Sequence, residues 1–303
     1  FETFTMNMLG FIGWFLMIPV THQMMKMVEP FDIKTLGHNT QKSIQLMVEA
    51  ERRSYADRSE FLGDPDFVDV PLKILLDSLY INKKMKSFDW NKASLSSDIK
   101  PGDSYYFESD ETTHFSILDN QGNAVAVTTT LNGGYGSKVF VEELGVFMNN
   151  EMDDFSSKPG VPNMFGLLGN EANSIVPKKR MLSSMTPTIV EKNGELYMVL
   201  GTPGGSTIIT SVFQTILNVY EHDLPIQDAV NAPRFHHQWL PDYITFEPKK
   251  FDAKLLKKLN GLGYAAEEKR SRIIGKVDAI LIDDSSVITL GADPRGDDTA
   301  VSY

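Results

Sequence analysis

The stretch Thr112-Thr113-His114-Phe115-Ser116-Ile117-Leu118-Asp119, the turn Asn120-Gln121-Gly122 and the run Asn123-Ala124-Val125-Ala126-Val127-Thr128-Thr129-Thr130 decide how the rest of the chain is read. Residues 115–119 and 123–130 are strand-like, and the Asn and Gly between them signal a hairpin. In the second run Ala124, Ala126, Thr128 and Thr130 share one face, and Val125, Val127 and Thr129 the other. A Thr pair at a strand start is ordinary sheet chemistry, because β-branched residues fit a pleated surface. It also has a chemical reading. A threonine hydroxyl is a poor nucleophile at its free pKa and needs a nearby base. A chain cut just before such a Thr acquires one, an α-amino group with a pKa of about 7.7–8.0.

Working downstream, a second hairpin is expected from 188–192 and 195–201 around Asn193-Gly194, and a third from 279–282 and 287–290. Between them, residues 207–220 read as a helix with Ile208, Ile209, Val212, Phe213, Ile216, Val219 and Tyr220 on a broad apolar face. Hairpins interleaved with helices predict an α+β fold of antiparallel sheets covered by helices. Pro203-Gly204-Gly205-Ser206 lies between a strand and a helix. It is either a tight turn or a place where backbone N–H groups meet an anion at a helix N-terminus.

Working upstream, residues 40–59 read as a helix with Ile44, Met47, Val48 and Tyr55 on one face and Glu49, Arg52 and Arg53 away from it. Gly63-Asp64-Pro65-Asp66 is a turn, and 72–79 a short helix. The polar stretch 82–110 reads as a flexible linker. Residues 1–23 stand apart as an atypical apolar segment, with no charge between Met8 and Val20. That run is shorter than the roughly 20 apolar residues of a membrane span. It also lacks the basic start of a signal peptide. The first residue is Phe, so a fragment is expected.

Composition narrows the chemistry. The 303 residues are 42% hydrophobic and 23% charged, an ordinary globular balance. Lys plus Arg number 29 against 40 Asp plus Glu, a formal charge of −11, which disfavours a nucleic-acid partner. With no cysteine there is no disulfide, thiolate metal site or cysteine nucleophile. The six histidines form no HExxH pair, and adjacent His236 and His237 point to opposite sides of an extended chain. No metal and no cofactor are expected. His236 and His237 read as satisfied polar groups, and Lys178, Lys179 and Arg180 as a solvated basic cluster.

The motifs TTHFSILD and GNAVAVTTTLN, then GVFMNNEMDDF, SSKPGVPN, KRMLSSMTPTIV, GTPGGSTIITSV, NAPRFHHQWLPD and ADPRGDD, in this order, resemble the γ-glutamyltranspeptidases (glutathione hydrolases). The likeness spans 112–303, which is similar to the family's self-cleaved small (catalytic) subunit. Through YADRSEFLGDPDFVDVP it extends over 24–111, similar to the C-terminal part of the large subunit with a polar linker before the cleavage site. The resemblance implies an N-terminal-nucleophile (Ntn) hydrolase fold, an αββα sandwich, here truncated at the N-terminus. It also implies two subunits cut from one precursor and held as a heterodimer.

The resemblance further implies roles. Thr112 would be the nucleophile, released when its own hydroxyl cuts the Glu111–Thr112 bond, and Thr130 would orient that hydroxyl. Gly204 and Gly205 would supply oxyanion-hole amides. Asn132, Glu151 and Asp154 would read the substrate's ammonium, and Ser183 and Ser184 its carboxylate. Residues 158–177 resemble a lid over the glutamyl pocket, whereas Asp57, Arg58, Asp64 and Asp66 read as structural. The family also uses a large-subunit arginine against the α-carboxylate. Of the arginines before residue 112, Arg52, Arg53 and Arg58, none sits in the matching motif, so weak activity of this chain is expected.

The implied substrates are glutathione and other γ-glutamyl compounds, with water, amino acids or peptides as acceptors. The implied location is periplasmic or secreted. Two alternatives remain at this stage. One is a related acylase acting on glutaryl β-lactams or poly-γ-glutamate; the other is an inactive relic.

Overall fold

The computed structural model describes residues 4–5, 18–99, 112–266 and 272–302. The N-terminal part holds β1 (Phe4–Thr5), α1 (Ile18–Val28), α2 (Ile33–Leu36), α3 (Gln41–Phe61), α4 (Leu72–Leu75) and α5 (Ser78–Met85). Then come β2 (Thr112–Leu118), β3 (Ala124–Thr130), the short β4 (Phe140–Val141) and β5 (Val146–Phe147), β6 (Thr188–Lys192) and β7 (Glu195–Gly201). The rest is α6 (Thr207–Tyr220), α7 (Ile226–Asn231), β8 (Phe235–His236), β9 (Thr245–Phe246), α8 (Ala253–Gly261), β10 (Asp278–Ile282) and β11 (Ile288–Gly291).

All three expected hairpins form, as β2–β3, β6–β7 and β10–β11, each antiparallel. Asn193 and Gly194 both take positive φ, 55° and 83°, the two-residue turn whose twist matches the strands it joins. The larger sheet runs β1-β6-β7-β10-β11. Helix α6 is sandwiched behind it. Val212, Ile216 and Val219 pack with Val190, Met198 and Leu200 of the sheet. Ile209, Phe213 and Leu217 instead join Met24 of α1 and Ile44 of α3 in a second cluster.

Because side chains alternate along a strand, Gly201 faces away from α6 when Leu200 faces it. There it meets His114, so the β2–β3 ribbon crosses the opposite face of the sheet. Helices, sheet and ribbon thus stack in the layer order of the expected sandwich. The outward face of the ribbon carries Phe115, Ile117 and Val125, all exposed.

Three expectations upstream are corrected. Helix α3 starts where Thr40 and Ser43 cap each other's backbone amides, but its polar side is not solvated. Glu49, Arg52 and Arg53 are all buried, with Arg53 bonded to Glu49 and Arg52 to Asp242. Opposite charges on successive turns let a charged face enter the interior. The short helix is two, because Asp77 caps a new start at Ser78 by accepting from the amides of Leu79 and Tyr80. The first part of the polar stretch is ordered rather than a free linker: Ser87 and Ser94 accept from Arg53, and Ser96 donates to the Trp239 carbonyl at 2.6 Å. Residues 100–111, including Glu111, lie outside the described residues, as does most of the apolar run 8–20. Helix α1 runs across position 23, joining the end of that run to the segment after it.

Candidate active site

Thr112, the first residue of β2, pairs directly with Thr130, the last of β3. Its Oγ1 donates to Thr130 Oγ1 at 3.1 Å, and Thr130 Oγ1 also accepts from the Asn132 amide at 2.8 Å. Three of the expected site residues are therefore joined by hydrogen bonds at one end of the ribbon. Two residues on, His114 shares the inward face. Its Nδ1 lies 2.8 Å from Thr128 Oγ1 and its Nε2 3.0 Å from Ser116 Oγ. Burial pushes its pKa down to about 4, so the ring is neutral. A Cβ on Gly201 would fall 2.3 Å from the ring's Cε1, so only glycine lets the imidazole rest on β7. That contact sets the spacing between the Thr112 ribbon and the strand that leads into Gly204-Gly205.

After β7, Thr202 Oγ1 donates to the Pro203 carbonyl at 2.6 Å and accepts from the Lys276 amide at 2.7 Å. Gly204 has φ 134° and Gly205 φ 54°, and the first is a conformation L side chains rarely adopt. The Gly204 carbonyl accepts from Thr207, by its amide and its hydroxyl. The Gly204 and Gly205 amides donate to no acceptor among the described residues. They precede the N-terminus of α6, where the helix field favours an anion.

The remaining polar residues form a second centre. Asn132, buried and at φ 75°, donates from Nδ2 to the Asn150 carbonyl at 3.3 Å, one residue before Glu151. The short turn Glu151–Asp154 follows. Asn173 ties its far end to the serines. Its Nδ2 donates to the Asp154 carbonyl at 2.7 Å, and its Oδ1 accepts from the amide of Leu182, which precedes Ser183 and Ser184. Arg58 Nη2 donates to Ser184 Oγ at 3.4 Å and its charge faces Asp154. Burial pushes Asp154 up to about 7. Arg58 pulls against that, while Glu151 and Asp153 add to it. Burial raises Glu151 as well.

Arg58, Met164 and Asn173 join these residues, although the sequence reading gave Arg58 no role there and read the other two only as part of the lid. Arg58 follows Tyr55 by one helical turn on α3, so an arginine on a buried face was the available signal. Met164 lies within the expected lid; its amide donates to Asp153 Oδ2 at 2.8 Å, and its Sδ is 3.7 Å from Asn132 Nδ2. Asn173 also lies within the expected lid, but nothing in the sequence marks its amide as the tie between Asp154 and Leu182. Asp64 is structural as expected, taking three hydrogen bonds from Arg180. Arg180 is therefore not simply solvated, and Lys179 is buried.

Helices backing an antiparallel sheet whose other face is crossed by a ribbon starting at Thr112 give the fold of the N-terminal-nucleophile hydrolases. The family model described as gamma-glutamyltranspeptidase matches residues 17–303, and the chain belongs to that family. It is 46% identical over 282 residues to a glutathione hydrolase proenzyme of Escherichia coli (strain K12), covering 93% of this chain and 48% of that protein. A glutathione hydrolase proenzyme of Pseudomonas aeruginosa is 44% identical over 269 residues, 88% of this chain and 47% of its own length. The chain thus spans about half the length of the curated relatives it matches. Among solved structures, a gamma-glutamyltranspeptidase from Pseudomonas nitroreducens complexed with L-DON is 47% identical with a TM-score of 0.59, covering 63% of this chain and 99% of that one. A cephalosporin acylase from Bacillus halodurans, at 21% identity and TM-score 0.75 over 94% of this chain and 49% of its own, shares the fold.

Proposed function

We propose that this chain carries the reaction centre of a γ-glutamyl hydrolase and transferase acting on glutathione and related γ-glutamyl amides. The Thr112 hydroxyl first cuts the Glu111–Thr112 bond through an ester, leaving two subunits held as a heterodimer. The freed α-amino group then serves as base while Thr112 Oγ1, held by Thr130, attacks the substrate's γ-carbonyl. The oxyanion binds the Gly204 and Gly205 amides, donors of a kind worth about 2.7–4 kcal/mol each. The amine departs with the proton, and water or an amino-acid or peptide acceptor resolves the γ-glutamyl-threonine ester. Asp154, Glu151 and Asn132 receive the substrate's ammonium. Ser183 and Ser184 receive its carboxylate, with Arg58 behind Ser184. Residues 158–177 act as the lid.

The observation that carries this reading is the Thr112–Thr130 hydroxyl pair at 3.1 Å on a ribbon registered over Gly201 by His114. The test is rate on a γ-glutamyl anilide beside a glutaryl anilide, which lacks only the ammonium. A clear preference for the former supports γ-glutamyl chemistry, and a preference for the latter favours the acylase alternative. No turnover of either favours the inactive relic. Among the described residues no helix is long and apolar enough to cross a membrane. A periplasmic or secreted location rests on the resemblance and is checked by cell fractionation.

A further inference from the structure

The HHQ stretch at 236–238 has no part in the chemistry above, yet its glutamine stands between the lid and the oxyanion loop. Gln238 is buried. Its Oε1 accepts from Ser206 Oγ at 2.5 Å and lies 2.8 Å from His236 Nε2. Its Nε2 donates to the carbonyls of Phe165 at 3.1 Å and Leu240 at 3.3 Å. The amide can be oriented only one way, since a flip would set its oxygen against two carbonyls. His236 is neutral, its pKa driven far down by burial. An Nε2–H tautomer satisfies both contacts, donating to Gln238 while Nδ1 faces Thr210 Oγ1 at 2.8 Å.

Ser206 follows Gly205 directly and immediately precedes α6, its side chain making no capping bond to the helix. Its hydroxyl is held by Gln238 and its carbonyl accepts from Tyr55 at 2.5 Å. On the other side, Phe165 is seated in the core beside Met164, whose sulfur touches Asn132. We propose that Gln238 is a positioning residue that couples the lid to the oxyanion loop, so that seating the lid over the head-group site also fixes Gly204 and Gly205. If the Phe165 carbonyl swings out with the lid, Gln238 keeps only the longer bond to Leu240 and its hold on Ser206 Oγ loosens, leaving Ser206 to Tyr55 and to a 3.3 Å contact with His236 Nε2. Substrate that fills the head-group site and closes the lid would thereby tighten the donors that stabilise its transition state.

This rests on reading Gly204 and Gly205 as oxyanion donors, and the test separates the two ideas. The full-length protein would be compared with Ser206→Ala, Gln238→Met and the double variant by two readouts. The first is thermolysin cutting between residues 164 and 168, where Phe165, Leu167 and Leu168 are buried unless the lid opens. The second is kcat and KM on a γ-glutamyl anilide. Ser206→Ala reaches the lid through Gln238, so it should raise cutting about three-fold or more and lower kcat about ten-fold with KM nearly unchanged. Gln238→Met should do at least as much, and the double variant no more than Gln238→Met. Should Gln238→Met fail to accumulate, Ser206→Ala alone carries the comparison. Cutting at the parent rate in Ser206→Ala, an unchanged kcat, or effects that multiply in the double variant would overturn the coupling. A parent that turns over no γ-glutamyl anilide would end the functional reading, and the cutting rates would still decide the coupling.

Discussion

Asp154→Asn removes a charge while keeping the shape of the side chain. In the free protein Asp154 is held near 7, mainly by burial, with Arg58 opposing. Its charge is therefore present at pH 8 and mostly absent at pH 5. Removing one partner of a fully buried pair costs about 3–5 kcal/mol, and of a surface pair about 0–1 kcal/mol. Asp154 is only partly buried, so about 2–3 kcal/mol is expected, or roughly 30- to 150-fold in kcat/KM at pH 8. The gap should shrink on acidification. Below about 7 each pH unit neutralises another factor of about ten of wild-type Asp154, so by about pH 5 the two proteins should nearly converge. The Thr112 amine titrates in both and cancels in the ratio. The assay is kcat/KM on a γ-glutamyl anilide from pH 5 to 8, with self-cleavage followed on a gel. Cleavage should be spared, because no ammonium is bound in that step. A ratio near one at pH 8, or one that stays constant with pH, would refute the assignment of Asp154 to the ammonium.

Thr112→Ala should abolish self-cleavage and turnover together, since one oxygen serves both; a gel still showing 111- and 192-residue fragments would point to an outside protease. Gly201→Ala places a methyl 2.3 Å from the His114 ring and should cost about 1–3 kcal/mol by overpacking, read as a lower melting midpoint with slowed processing. Asp64 is held near 2 by Arg180, so its contribution is present above about pH 4 and fades as pH falls toward about 2. Urea melts at the two pH values should show wild type losing more stability over that interval than Asp64→Asn, the difference between them being the contribution of Asp64.

The parts legible in sequence were those with a local signal. Asn193-Gly194 declared its hairpin, and the apolar face at 207–220 declared α6 with its ends correctly placed. The partnership of Thr112 with Thr130 was implied only by the family resemblance, and the register that pairs them runs symmetrically outward from Asn120-Gln121-Gly122. Helix α3 misled because periodicity assumes that charge means solvent. Here Glu49 lies between Arg52 and Arg53, and Asp57 takes Lys84, Gln23 and Tyr80, so charge compensation replaced exposure. Partners such as Lys84 and Tyr80 are supplied by segments far along the chain, which no window on α3 contains.

The buried charge of α3 also bears on how the proposed head-group centre is held. In the proposed function Asp154 would meet an ammonium; such a carboxylate must be desolvated enough to feel it, yet a desolvated carboxylate tends to take up a proton. Asp154 stands at that compromise, near 7. Arg58 is what keeps it from drifting higher, and it does so from the most buried helix of the N-terminal part. Glu51 on the same helix shows the other outcome. It accepts from the His237 amide and Gln214, and burial drives it far above the carboxylate range. One helix thus carries a carboxyl whose ionisation burial opposes and an arginine that favours ionisation of a neighbouring carboxyl. Arg58→Met should therefore push Asp154 higher and shift the acid limb of kcat/KM toward alkaline pH. Arg58→Lys, which retains the charge, should largely restore the limb. If both variants kept the wild-type limb, Arg58 would have no electrostatic hold on Asp154, and its contact with Ser184 would be its whole role.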